Sequence, residues 1–148
     1  MKFKFSLEKV LKHRNLQMDL ARRDFINAQN ILDEAIATRD NMIAEKQKNT
    51  LHRSQIVGTK SGWQDEAAQI NLYLSGQDLR IARQNESLKK LEKEVESYRE
   101  ILLKALTEAK MIERLKEKKK EEFIKTYLEN ETKELDEIST LRYARIEK

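Results

Sequence analysis

Apolar residues recur along this chain in alternating steps of four and three. From Leu7 the series runs through Leu11, Arg14, Met18, Ala21, Phe25, Ala28, Leu32, Ala35, Arg39 and Met42, and nine of the eleven positions are apolar. A 3.5-residue period held over five heptads marks the seam of a coiled coil. A second seam runs through Ala67, Ile70, Leu74, Gln77, Ile81, Gln84, Leu88, Leu91, Val95, Tyr98, Leu102, Ala105, Ala109 and Ile112, twelve of the fourteen being apolar. Between the two lies VGTKSG, residues 57–62, the one segment dense in turn formers. Gly58 is placed to end a first helix, and Ser61 or Gly62 to begin a second. Ser6 is the candidate N-cap of the first, with Lys9 standing where a capping box would have Glu. The pattern predicts an all-α fold, a long antiparallel two-helix coiled-coil hairpin with a C-terminal helical overhang. It forms a single elongated unit over residues 1–148, with helix 1 over 6–56, the turn at 57–62 and helix 2 over 63–140.

A short turn makes the helices antiparallel neighbours, and closure at 57–62 pairs residues whose numbers sum to about 119 or 120. Phe25 then faces Val95, Ala28 faces Leu91, Leu32 faces Leu88 and Leu11 faces Ala109, with several large residues set against small ones. Gln77 and Gln84 interrupt the second seam and read as polar residues that set register. The helices are unequal, so helix 2 overhangs by roughly 40 Å at 1.5 Å per residue. In this register everything beyond Leu115 lacks a partner within the chain. Apolar residues nevertheless resume there in a shifted frame, at Phe123, Ile124, Tyr127, Leu128, Leu135, Ile138 and Leu141. At the turn end the first seam becomes Lys46, Asn49 and Arg53 while the second helix still offers Trp63, Ile70, Tyr73 and Leu74. That imbalance marks Tyr73, Leu74, Gln77, Arg80, Ile81 and Gln84 as a candidate docking surface, with a frayed hairpin tip as the alternative.

Composition narrows the function classes. The 148 residues include no proline, no cysteine and three glycines, and 38% are charged. Cysteine is absent, so disulfides and thiolate metal sites are excluded. His13 and His52 stand apart on charged helical stretches, without a second ligand at helical spacing, and no cofactor or metal site is expected. The carboxylates are interleaved with lysine and arginine and read as surface ion-pair formers, so no enzyme is expected. Net charge is +4, yet both signs alternate throughout. The one basic triplet, Lys118-Lys119-Lys120, lacks the aromatic or glycine-rich element of a nucleic-acid site, so no nucleic acid is expected. No apolar run reaches the ~20 residues that span a bilayer, so no direct membrane insertion is expected.

KFKFSLEKVLKHR at residues 2–14, followed by Ala21-Arg22, resembles the N-terminus of the FliJ family, a soluble component of the bacterial flagellar type III export apparatus. ERLKEKKKEEFIKTYLENETKELDEISTLR, from Glu113 to Arg142, resembles its C-terminal helix, most tellingly around Lys133-Glu134-Leu135-Asp136-Glu137. The resemblance implies a non-enzymatic stalk, similar to the central shaft of rotary ATPases, that binds a hexameric flagellar export ATPase. It would link that ring to an export gate membrane protein, with export chaperones as a further partner. The implied location is cytoplasmic and peripheral, at the inner face of the cell membrane by the flagellar base. Laid over the unpaired surfaces, it assigns ATPase binding to Arg114, Lys116, Lys118, Lys119, Lys120, Phe123, Tyr127, Leu135 and Ile138. Gate binding falls to Tyr73, Leu74, Gln77, Arg80, Ile81 and Gln84. The equivalent stalk of a virulence-type secretion system, a general export chaperone and a plain structural coiled coil are the competing readings.

Overall fold

The computed structural model describes residues 2–147. Two helices, α1 over Glu8–Ile56 and α2 over Trp63–Ile146, make up nearly all of it. The fold is all-α, an antiparallel helical hairpin. Contacts divide it into two units, one from Leu20 to Leu102 and one that joins the residues up to Asp19 with those from Leu103 onward. Both helices run through both units.

In the Leu20–Leu102 unit the seams predicted from spacing form the core. Ala28, Leu32, Leu88 and Val95 are buried together, with Phe25, Ala35, Ile36 and Leu91 packed against them. Small residues of α1 alternate with large ones of α2, which lets two helices close without voids. The guanidinium of Arg99 lies 5.8 Å from the centre of the Phe25 ring and covers the flank of that core. Two amides cross the seam. Gln84 donates through Nε2 to the Ala35 carbonyl at 3.0 Å, and Gln77 donates to the Met42 carbonyl at 3.0 Å. Gln77 is only 3% exposed, and its Oε1 accepts a hydrogen bond from Arg80 Nε at 2.8 Å. A buried amide is tolerable when its polar atoms find partners, as these two do on α1 carbonyls.

The turn closes as the glycine positions suggest. Gly58 has φ +71° just past the last residue of α1, where a left-handed residue ends the helix. The Ile56 carbonyl accepts from Thr59 N at 3.1 Å and from Thr59 Oγ1 at 2.7 Å. Gly62, at φ +83°, opens α2, its carbonyl accepting from Asp65 N at 3.2 Å. Glu66 ties the turn to α1 by contacts with His52 Nε2 and Lys60 Nζ, each at 3.3 Å. The hydrogen bond from His52, then that from Lys60, holds the Glu66 carboxyl below the usual carboxylate range.

In the unit built from the two ends of the chain, Leu11 and Ala109 are buried. Arg14, a polar interruption of the first seam, is bound to Glu108 at 2.6 Å. Three expectations change here. Leu7, not Ser6, is the N-cap, since its carbonyl accepts the first helical bond from Leu11 N at 2.9 Å. Helix α2 runs to Ile146, because no proline or glycine follows Gly76 to stop it. The unpaired segment also starts later than Leu115. Glu8 pairs with Lys116 at 2.9 Å, and the rings of Phe3 and Phe123 lie 5.6 Å apart. The residues ahead of α1 therefore continue the hairpin beyond the reach of the helix itself.

Truncating the core and truncating the overhang should have unequal consequences. Leu88→Ala, at a position 3% exposed, is expected to lower stability by about 2–4 kcal/mol. Leu141→Ala, at 66% exposure, should change it by less than about 0.5 kcal/mol. Thermal melts followed by circular dichroism would measure both. In the same assay Gly76→Ala should stabilise by about 1 kcal/mol, because an added Cβ would meet only the guanidinium of Arg80, in ordinary contact at 3.8 Å.

Candidate partner-binding surfaces

Two surfaces lack a partner within their own unit. The first is the end of α2. Every described residue from Ile124 to Glu147 is exposed, among them Ile124, Tyr127, Leu128, Leu135, Ile138, Leu141 and Ile146. Steps of three and four gather Ile124, Tyr127, Leu128, Leu135 and Ile138 into one stripe. Tyr127, Leu135 and Ile138, three of the positions assigned to ATPase binding, thus stand free. Arg114, Lys118, Lys119 and Lys120 are exposed as well, Lys119 with Glu122 at 3.6 Å. Lys116 and Phe123 are different. Both are half-buried, engaged by Glu8 and Phe3 respectively, and they belong to the hairpin.

The second surface is at the tip, and it corrects the expectation for the other residue set. Leu74 and Gln77 are buried in the seam, and Ile81 and Gln84 are half-buried there. The amides of Gln77 and Gln84 are spent on α1 carbonyls, so these four residues hold the hairpin together rather than present a docking face. Of the six, Tyr73 and Arg80 are exposed. Even these are tethered: Tyr73 Oη donates to Glu45 at 3.2 Å, and the Arg80 guanidinium stacks 5.6 Å from the Tyr73 ring.

The exposed face of the tip lies elsewhere on α2. Leu72 is 76% exposed and Leu79 62%. With Ala68 and Gly76 they fall at steps of four, four and three, on one side of the helix. Sequence reasoning passed over them because it followed the seam. The available signal was a pair of leucines one heptad apart and out of phase with that seam. The opposing stretch of α1 is polar, with Lys46 bound to Asp78 at 2.6 Å and Arg53 Nη1 donating to Asn71 Oδ1 at 2.5 Å.

Among the described residues no group of three or more His, Cys, Asp or Glu side chains is arranged to hold a metal. Among the same residues no helix is long and apolar enough to cross a membrane. A family model described as the flagellar FliJ protein matches residues 3–148. No curated protein and no solved structure matches the chain. The family match takes in both helices, the turn and the overhang, and the chain belongs to the FliJ family, flagellar export-related proteins that are structural rather than enzymatic.

Proposed function

We propose that the chain is the stalk of the flagellar type III export apparatus, joining a hexameric export ATPase to a membrane-embedded export gate. The observation that carries this reading is the free stripe on α2. A helix that continues for more than twenty residues past its last intramolecular contact, with an apolar side intact, is built to be covered by another protein. The paired ends and this overhang enter the ATPase ring, and the free leucines at the tip face the gate. The protein works at the cytoplasmic face of the membrane, as a peripheral element and not a spanning one. Export chaperones are a further partner of the same exposed surfaces.

A stalk within a ring needs many weak contacts that exchange as the ring changes state. The interleaved charges on α2 suit this, because exposed ion pairs contribute only ~0–1 kcal/mol each. Specificity comes from the apolar stripe, whose residues have no competing role in the hairpin. Lys118, Lys119 and Lys120 supply the electrostatic part, while Lys116 stays committed to Glu8. At the tip, Gly76 and Ala68 leave room beside Leu72 and Leu79 for a partner to approach closely.

The triple variant Tyr127→Ala, Leu135→Ala, Ile138→Ala should weaken stimulation of the purified export ATPase about tenfold or more, on the scale of losing central apolar anchors. Its melting temperature should match that of the unsubstituted protein. Undiminished stimulation would defeat the assignment of the overhang to the ring. For the tip, Leu72→Ala with Leu79→Ala should weaken binding to the soluble part of the export gate by about tenfold while stimulation of the ATPase persists. Titration calorimetry gives the first quantity and phosphate release the second. Binding that survives both substitutions would remove this face from the gate interface.

A further inference from the structure

The overhang also carries a charge pattern that its apolar stripe does not require. Taken at coiled-coil spacing, its seam runs Ile124, Leu128, Glu131, Leu135, Ile138, Arg142 and Arg145. All seven side chains are exposed. Three seam positions are thus charged, with the acid in the first half and the bases in the second. Surface charge alone gives no reason to set a glutamate and two arginines on the apolar side of a helix whose remaining faces are already polar.

We infer that the overhang pairs antiparallel with the overhang of a second copy of this chain. In an antiparallel coiled coil the two kinds of seam position face each other. One register sets Leu135 against Ile138 of the second copy, and Ile138 against its Leu135, as an apolar centre. The same register sets Glu131 against Arg142, twice by the two-fold symmetry, and brings Arg145 over Leu128, next to Glu129 and Glu131. Glu131 and Arg142 thus meet across the seam, and Arg145 has carboxylates beside it rather than opposite it. A parallel in-register pair would instead stack Glu131 on Glu131, Arg142 on Arg142 and Arg145 on Arg145, three like-charge layers that exclude that arrangement.

Sterics agree with the charges. In this register Ile146 of the second copy lies beside Tyr127, clear of the Phe3–Phe123 contact that ends the paired part of the hairpin. Among the described residues, the overlap thus uses the exposed segment. The stripe consumed in this way is the one assigned above to the ATPase, so the two associations exclude each other. The self-pairing itself rests only on the overhang and stands whether or not that assignment holds.

The full chain has no cysteine, which makes disulfide trapping clean. Leu135→Cys and Ile138→Cys, prepared separately and mixed under mild oxidation, should give predominantly the mixed disulfide. Homodisulfides in excess would mean a parallel pair and would overturn the proposal. Sedimentation equilibrium supplies an independent reading. Glu131→Arg and Arg142→Glu should each raise the dimer dissociation constant by about tenfold or more through like-charge contact across the seam. The double exchange should bring it back to near the unsubstituted value. The proposal fails if the unsubstituted protein stays monomeric up to its solubility limit, or if the double exchange is as weak as the single variants. Circular dichroism of each variant checks that the hairpin remains folded.

Discussion

The closed turn at residues 57–62, with Gly58 and Gly62 at positive φ, sets the register in which Gln77 meets the Met42 carbonyl and Gln84 the Ala35 carbonyl. Apolar seams with a seven-residue repeat tolerate a slip of one heptad, since leucine would still meet alanine or isoleucine. The seam amides tolerate it too, since Ala35 and Met42 are seven residues apart and a slipped glutamine would meet another α1 carbonyl. The short turn is what selects the register. Which residues of α2 are covered by α1, and which are left over, follows from this choice.

The seams were legible because a period of 3.5 leaves a strong mark on a sequence with so few turn residues. Leu11, Leu32, Leu88, Val95 and Ala109 are buried where that period sets them. The turn was legible too, since Gly58 and Gly62 adopt the positive φ angles that favour glycine. The tip was misread for a specific reason. Where α1 offers Lys46, Asn49 and Arg53, the absence of apolar residues suggested an uncovered face on α2. Long polar side chains cover apolar surface with their methylene stems while their heads find partners. Lys46 reaches Asp78, Arg53 reaches Asn71, and a backbone carbonyl serves Gln77. A covering residue need not be hydrophobic, and no hydropathy pattern reports a backbone acceptor.

The start of the overhang was misplaced by a related simplification. Counting from the first seam residue, Leu7, left α2 unpartnered beyond Leu115. Phe3 and Phe5 precede the helix, obey no helical period and were not counted. They lie by Lys116 and Phe123, both half-buried. Irregular chain can continue a helical interface, and periodicity is blind to it. The exposed leucines Leu72 and Leu79 were missed from the opposite direction, being periodic but outside the phase under inspection.

An overhang with no partner in the chain is still helical for a definite reason. An isolated helix of this length would carry the unfavourable cost of nucleation, but here the first turns already exist in the paired part of α2. Extension adds a hydrogen bond for each residue fixed, and residues 124–146 contain neither glycine nor proline to interrupt it. The hairpin thus supplies conformational order, and the overhang contributes no packing in return. That division frees its sequence from the needs of folding. Residues such as Glu131 and Arg142 can occupy seam positions that a buried interface of the monomer would not accept unpaired. Their placement has to be explained by whatever covers them, and opposite charges at matched distances from a two-fold centre are what a second overhang would require.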